Sequence, residues 1–231
     1  MNKKVFPGNV IITGGSSGLG AAVVDAVLKA GGTPLVIDIA KPLADVDHEI
    51  VDISNTRQAE QAVAELAKRS GSIEAVVTAA GTDACGKLED IDPLAWEKVV
   101  MVNLLGTVAI VRAALPHLIQ TQGNIVTVGS TLGLRALSDA SAYCASKFGV
   151  VGFTRSLMIE LAGRVGVTLL IPGGMDTAFF DGRDQQYKPG PDAQLMKPQD
   201  GAEAVLFAIS QPPTSQIREL IITPPTEPSY P

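Results

Sequence analysis

The spacing of apolar positions divides the chain into two kinds of segment in regular alternation. Short runs of aliphatic and β-branched residues, at Val10 to Thr13, Leu35 to Asp38, Glu49 to Asp52, Ala75 to Thr78, Ile125 to Val128 and Val167 to Ile171, have strand length and predict strands buried on both faces. Between them, Leu19 to Ala30, Thr56 to Arg69, Pro93 to Gln120 and Ala140 to Ala162 repeat apolar side chains every three or four residues, the period of a helix with one buried face. Asp92 before Pro93 predicts an N-cap followed by a first-turn proline, and Pro116 predicts a bend near the end of that third helix. Strand and helix alternating from residue 9 to about 171 predict repeated βαβ units around a parallel sheet, an α/β fold with no linker dividing it.

The pattern loosens after Pro172. Residues 175–197 hold Gly, Asp and Gln in a stretch too long for an ordinary connection, which predicts a lid over a site. A short helix near Ala202 to Ile209 and a strand at Leu220 to Ile222 precede a tail, Thr223 to Pro231, with four prolines. Such a tail is expected either to be a solvated end or to form an arm on another subunit.

Composition narrows the partners. The 231 residues are 46% hydrophobic and 18% charged, enough to bury one large core, and the formal net charge of -6 argues against a surface that follows nucleic acid or anionic lipid. No apolar stretch is expected to span a bilayer, and the apolar run after Lys3 and Lys4 is too short for a signal-peptide core. Cys85 and Cys144, the two cysteines, suit reduced thiols in a cytoplasmic protein better than a disulfide framework, and no metal site is expected.

Two segments carry chemistry. Thr13-Gly14-Gly15-Ser16-Ser17-Gly18-Leu19-Gly20 joins a predicted strand to a predicted helix, where glycines permit a tight turn and close approach of a pyrophosphate to the helix N-terminus. Asp38 ends the second predicted strand; a carboxylate there accepts hydrogen bonds from both adenosine ribose hydroxyls and repels a 2′-phosphate, which favours NAD over NADP. Tyr143 and Lys147 are one helical turn apart on one face. A phenol is a poor base at neutral pH, but a nearby ammonium and an oxidised nicotinamide are expected to lower its pKa. Ser130 lies just past the strand ending at Val128, within reach of a pocket at the carboxyl ends of the sheet. Gly14-Gly15-Ser16-Ser17-Gly18 also fits the nucleophile turn of a hydrolase, but neither His48 nor His117 is well placed to serve as its base.

In order and spacing, Thr13 to Gly20, Asn103, Ser130, Tyr143, Lys147 and Pro172-Gly173 resemble the short-chain dehydrogenase/reductase family over most of the chain. The resemblance implies a Rossmann-like doubly wound sheet in three layers and a hydride transfer between NAD(H) and a small alcohol or ketone. It implies that Tyr143 is the general acid/base, that Ser130 binds the substrate oxygen and that Lys147 binds the nicotinamide ribose and lowers the Tyr143 pKa. Asn103 would hold a water in a proton relay through Lys147. Cofactor contacts implied in the same way are Gly14, Ser16, Ser17, Gly18, Leu19 and Gly20 at the turn, Asp38 and Ile39 at the ribose, and Asp52 and Ile53 at the adenine. Further along the cofactor they are Ala79, Ala80, Gly81, Tyr143, Lys147, Pro172, Gly173, Gly174 and Thr177. The family also implies a homodimer or homotetramer. Within the same fold, reduction or isomerisation at another bond, or NAD binding by a regulator without turnover, are the alternatives. Thr78-Ala79-Ala80-Gly81 departs from the family's Asn-Asn-Ala-Gly, which is expected to soften the sheet beside the cofactor. Leu132, Leu134, Met175, Phe179 and Phe180 are expected near the substrate, with Arg135 and Arg183 as single anchors, a set suited to a compact, apolar or mixed substrate without several negative charges.

Overall fold

The computed structural model describes residues 7–212 and 214–230. Seven strands, β1 (Asn9–Thr13), β2 (Thr33–Asp38), β3 (Asp47–Ile50), β4 (Ala75–Thr78), β5 (Asn124–Val128), β6 (Gly166–Pro172) and β7 (Glu219–Ile222), form one sheet in the order β3-β2-β1-β4-β5-β6-β7 with every pairing parallel. The order reverses between β1 and β4, which is where an open parallel sheet leaves a crevice beyond its carboxyl ends.

Period-two alternation sends the strand side chains into two cores. Val10, Ile12, Val36, Val77, Val126 and Leu170 pack with α1 (Gly18–Lys29) and α6 (Pro198–Ile209). Ile11, Leu35, Ile37, Val76, Ile125, Leu169 and Ile171 face the other way, toward α2 (Thr56–Ser70), α4 (Thr107–Thr121) and α5 (Ser141–Glu160). The result is the expected three-layer α/β/α domain.

Differences from the expected elements have local causes. β3 begins and ends earlier than expected, and it is not buried on both faces: it is a sheet edge of sequence Asp-His-Glu-Ile whose Asp47 and Glu49 pair with Arg69 of α2. Charged side chains on an edge strand discourage further pairing. The third helix spans the expected range, but its middle is wound differently: α3 (Pro93–Val100) passes into a π-helical segment, Met101–Gly106, and then into α4. Asp92 caps it as expected, accepting from Ala95 N at 2.9 Å. Contrary to expectation, this 29-residue run, Pro93–Thr121, is long and apolar enough by length and composition to cross a bilayer. Half of its most apolar stretch is buried within the fold, against α2 and α5, and the apolarity serves that packing.

Candidate active site

The glycine turn between β1 and α1 is built as only glycine allows. Gly14 (φ 73°) would place a Cβ 2.8 Å from the main chain of Ala80, and a Cβ on Gly20 would collide with the Gly14 carbonyl. Ser17, the N-cap of α1, makes no side-chain cap bond, so first-turn N–H groups remain directed at the turn. This glycine cradle at a helix N-terminus fits a pyrophosphate. Thr13 Oγ1 accepts from Ala80 N at 3.1 Å, tying the end of β4 to the turn. The departure at residues 78–81 has a visible consequence: the Thr78 hydroxyl is buried and has no hydrogen-bond partner. Asp38 reaches the turn from β2; Oδ2 accepts from Ser16 N at 2.9 Å and Oδ1 from Ala40 N at 3.1 Å. Ile39 beside it is exposed. Ser16, the nucleophile of the hydrolase alternative, instead donates to Ala40 O, and His48 bonds the Val46 carbonyl. Asp52 accepts from Ser54 N and pairs with Lys98, while Ile53 is buried against Gly106.

The second group lies at the carboxyl ends of β4 and β5. Ser130 follows β5 and caps a short 3-10 turn, Thr131–Gly133, its Oγ accepting from Leu132 N at 3.1 Å. A Cβ on Gly133 would press on the Lys147 carbonyl at 2.8 Å, so that glycine lets the Ser130 turn lie directly on α5. On α5, Lys147 is 5% exposed; its Nζ donates to Val128 O at 2.9 Å and lies 5.6 Å from the centre of the Tyr143 ring. Asn103, in the π-helical segment, is 1% exposed. Its Oδ1 accepts from Thr82 N at 2.8 Å, and its Nδ2 donates to Thr82 O at 2.9 Å and Ser146 Oγ at 3.0 Å. Ser146 in turn donates to Tyr143 O at 2.8 Å. A Cβ at Gly81 would have Asn103 Oδ1 at 3.5 Å and Lys147 Nζ at 3.9 Å, so both groups converge over the end of β4, beside the residues that pack on the glycine turn.

Burial outweighs the groups of the protein that lower the Tyr143 pKa, so Lys147 alone does not supply the expected lowering. Burial pushes the phenol up to about 12, with hydrogen bonding by Ser130 working against it. Burial likewise pulls Lys147 down to about 8, because an ammonium loses hydration there. The Lys147 ammonium is spent on Val128 O.

A third group covers the site. The segment after β6 is closed at its ends by a bridge between Met175 and Met196, with Asp176 N donating to Met196 O at 2.8 Å and Met196 N to Gly174 O at 3.0 Å. Thr177 lies over Gly18, its Cγ2 3.4 Å from where a Cβ would stand. Phe179 packs on Tyr143, ring centres 5.7 Å apart, and Arg183 stacks on Phe179 and Phe180 while pairing with Asp83 at 2.6 Å. Arg183 is therefore an anchor within the protein itself. Leu134 and Met175 flank the two cores.

Sequence reasoning missed Asp83, Ser146 and the contact of Glu227 with Gly174. Asp83 and Arg183 are distant in sequence, so no local pattern marks them. The tail, expected as a solvated end or an arm on another subunit, also touches its own chain, with Glu227 Oε2 accepting from Gly174 N at 2.8 Å.

The short chain dehydrogenase family model matches residues 8–188. An uncharacterized oxidoreductase of Staphylococcus saprophyticus is 30% identical over 93% of this chain and 96% of its own length. The 2-(S)-hydroxypropyl-CoM dehydrogenase 3 of Xanthobacter autotrophicus is 30% identical over 87% of this chain and 89% of its own. Among solved structures, the ligand-free aldohexose dehydrogenase of Thermoplasma acidophilum superposes with a TM-score of 0.84 at 28% identity, covering 94% of this chain and 92% of that one. The fold and its crevice define a Rossmann-like α/β protein. More narrowly, the chain belongs to the short-chain dehydrogenase family.

Proposed function

We propose that the protein is an NAD-dependent dehydrogenase that exchanges a hydride between NAD(H) and a small alcohol or ketone. The observation that carries this reading is the convergence of Lys147 Nζ and Asn103 Oδ1 over Gly81, with Tyr143 and Ser130 alongside and the glycine turn adjacent.

A bound nicotinamide dinucleotide supplies the hydride acceptor or donor. Its pyrophosphate would rest on the turn from Gly14 to Gly20, its adenosine ribose on Asp38, its adenine near Asp52 and Ile53, and its nicotinamide half along Ala79 to Gly81, Pro172 to Gly174 and Thr177. The Asp38 carboxylate is fixed beside the turn and disfavours a 2′-phosphate, which supports NAD over NADP.

Tyr143 passes a proton to or from the substrate oxygen, and Ser130 orients that oxygen by hydrogen bonding. With its pKa at about 12 before the positive oxidised ring arrives, Tyr143 stays protonated until both partners are bound, which guards the proton against loss to solvent. The Asn103 side-chain amide is committed to Thr82 and Ser146, so a relay water would be held by main-chain carbonyls of the wide π turn. Residues 175–197 act as the lid. The aromatic cover and the neutral Asp83–Arg183 pair favour a compact substrate without several charges.

Leu105, Phe148 and Ile159 on the outer helices, and Phe207 and Ile221 on α6 and β7, are exposed apolar side chains that suit homodimer or homotetramer contacts. The two unpaired cysteines suit a cytoplasmic setting.

The decisive experiment is a panel of secondary alcohols and ketones followed by NADH absorbance; no turnover with any member, despite bound cofactor, would refute the dehydrogenase reading. Asp38→Ala should reduce NAD over NADP selectivity by about tenfold, the value of one lost charge-assisted hydrogen bond. Unchanged selectivity would remove Asp38 from the ribose.

A further inference from the structure

The C-terminal tail takes no part in the reaction as proposed, yet it is fastened at both of the loops that frame the site. Gly173 N donates to Ile222 O at 2.9 Å where β6 and β7 end together. A turn closed by Glu227 N on Pro224 O at 3.2 Å then brings the chain back over the loop after β6. There Glu227 Oε2 accepts from Gly174 N at 2.8 Å, and its other oxygen accepts from Ser229 N at 3.1 Å and Ser229 Oγ at 2.6 Å. The Ser229 hydroxyl also meets Thr131 Oγ1 at 2.7 Å, one residue past Ser130.

The fit is specific to glycine. A Cβ on Gly173 would run into Glu227 Oε2, so the loop makes room for this carboxylate. Burial raises the Glu227 pKa, but the donors from Ser229 and Gly174 outweigh it and hold the carboxyl below its usual range, so the anchor is ionised at neutral pH. Two successive glycines have the widest choice of backbone conformations, and a loop that must be ordered on binding gives up affinity for whatever it holds. A carboxylate that fixes one of its N–H groups beforehand removes part of that cost.

We propose that Glu227 is a positioning residue, whose carboxylate pre-orders the Gly173–Gly174 main chain to receive the nicotinamide half of the dinucleotide. This rests on the nicotinamide assignment of Pro172 to Gly174 made above. The predicted signature is selective: the tail strengthens binding of the nicotinamide end and leaves the adenosine end unaffected.

Calorimetric titration of wild type, Glu227→Ala and Glu227→Gln with NAD and with ADP-ribose, which lacks the nicotinamide, tests it. Glu227→Ala should weaken NAD by about tenfold while ADP-ribose stays within roughly twofold, as expected for loss of one charge-assisted hydrogen bond. Glu227→Gln keeps an acceptor for Gly174 N and should fall between wild type and alanine; should the alanine variant not fold, the glutamine variant carries the same comparison. Equal losses for both ligands would reduce the tail to a structural cover, and no loss for either would overturn the proposal with cofactor binding intact. Wild-type protein that binds neither ligand would overturn the dinucleotide reading itself, and this proposal with it.

Discussion

The floor of the site and the loop above it are held by opposite means. On the floor, Asn103 and Lys147 are 1% and 5% exposed, and each is bonded to main chain from a different element: Asn103 to Thr82, Lys147 to Val128 at the end of β5. Moving either group means opening the core. Between Asp176 and Leu195 no residue is buried, and regular structure is limited to two single 3-10 turns, Ala178–Phe180 and Gln185–Tyr187. That loop is fixed by the Met175–Met196 bridge, one ion pair to Asp83 and aromatic contacts on Tyr143. A few polar clasps open at far lower cost than a packed core, so the proposed chemistry would be held rigid while access is left adjustable.

The sharpest way to break this division is at the floor. Tyr143→Phe keeps the ring against Phe179 and removes only the hydroxyl proposed to carry the proton. It should lower kcat by about 10³-fold, in the range general acid–base catalysis contributes, with NAD affinity unchanged. Near-normal turnover, measured by NADH absorbance, would take Tyr143 out of the reaction.

Lys147 gives the next largest effect, read in stability. Burial holds its pKa at about 8, against 10.5 in the unfolded chain. Between those values the unfolded state binds a proton that the native state does not, so stability rises with pH across that window; the gain is complete above 10.5 and is lost as pH falls to 8. Relative to Lys147→Met, wild type should gain about 3 kcal/mol from pH 8 to 10.5 in urea titrations. A pH-independent difference would mean that the amine is solvated and the floor is looser than its burial indicates. Tyr143 acts with the opposite sign at higher pH: a pKa raised to about 12 keeps the native phenol protonated after the unfolded one has ionised near 10, so stability falls above that point.

How much of this contrast could be read from the sequence follows from what sets each region. The floor residues sit in elements with a strong period, and Ser130, Tyr143 and Lys147 fall where strand and helix patterns place them. The π turn was hidden, because one extra residue per turn hardly disturbs an apolar run; a lone Asn103 amid Met101 to Gly106 was its only trace. β3 was shifted because Asp-His-Glu-Ile has no apolar alternation and takes its place from β2 and Arg69. The rim was the least legible. Asp83 meets Arg183, and Glu227 meets Gly174, only after the sheet has brought distant segments together, and neither pair leaves a local spacing to find.

The rim can be tested at its ion pair. The Asp83 side chain is buried and also accepts from Ala84 N and Cys85 Sγ, so Asp83→Asn preserves shape while weakening the hold on Arg183. The loop should open about tenfold more often, for roughly 1.4 kcal/mol of lost clasp. Limited chymotrypsin digestion after Tyr187 reads this directly; KM for substrate should rise, and kcat should change little. An unchanged cleavage rate would show that the methionine bridge and the rings suffice to hold the loop.

The smallest expected effect lies where the two regions touch. The Phe179 ring is the loop's contact with Tyr143, and an aromatic pair is worth about 0.5–1.5 kcal/mol beyond the area it buries. Phe179→Leu keeps an apolar side chain there and should raise KM by only about threefold, consistent with the lower half of that range. It also lets water approach the phenol, so the Tyr143 pKa should move down from about 12 toward its ordinary value. Ultraviolet titration of the phenolate, taken as the difference from the same protein carrying Tyr143→Phe, isolates that one group. If its pKa does not move, the burial of Tyr143 comes from the floor alone, and the loop contributes access without influencing the acid it covers.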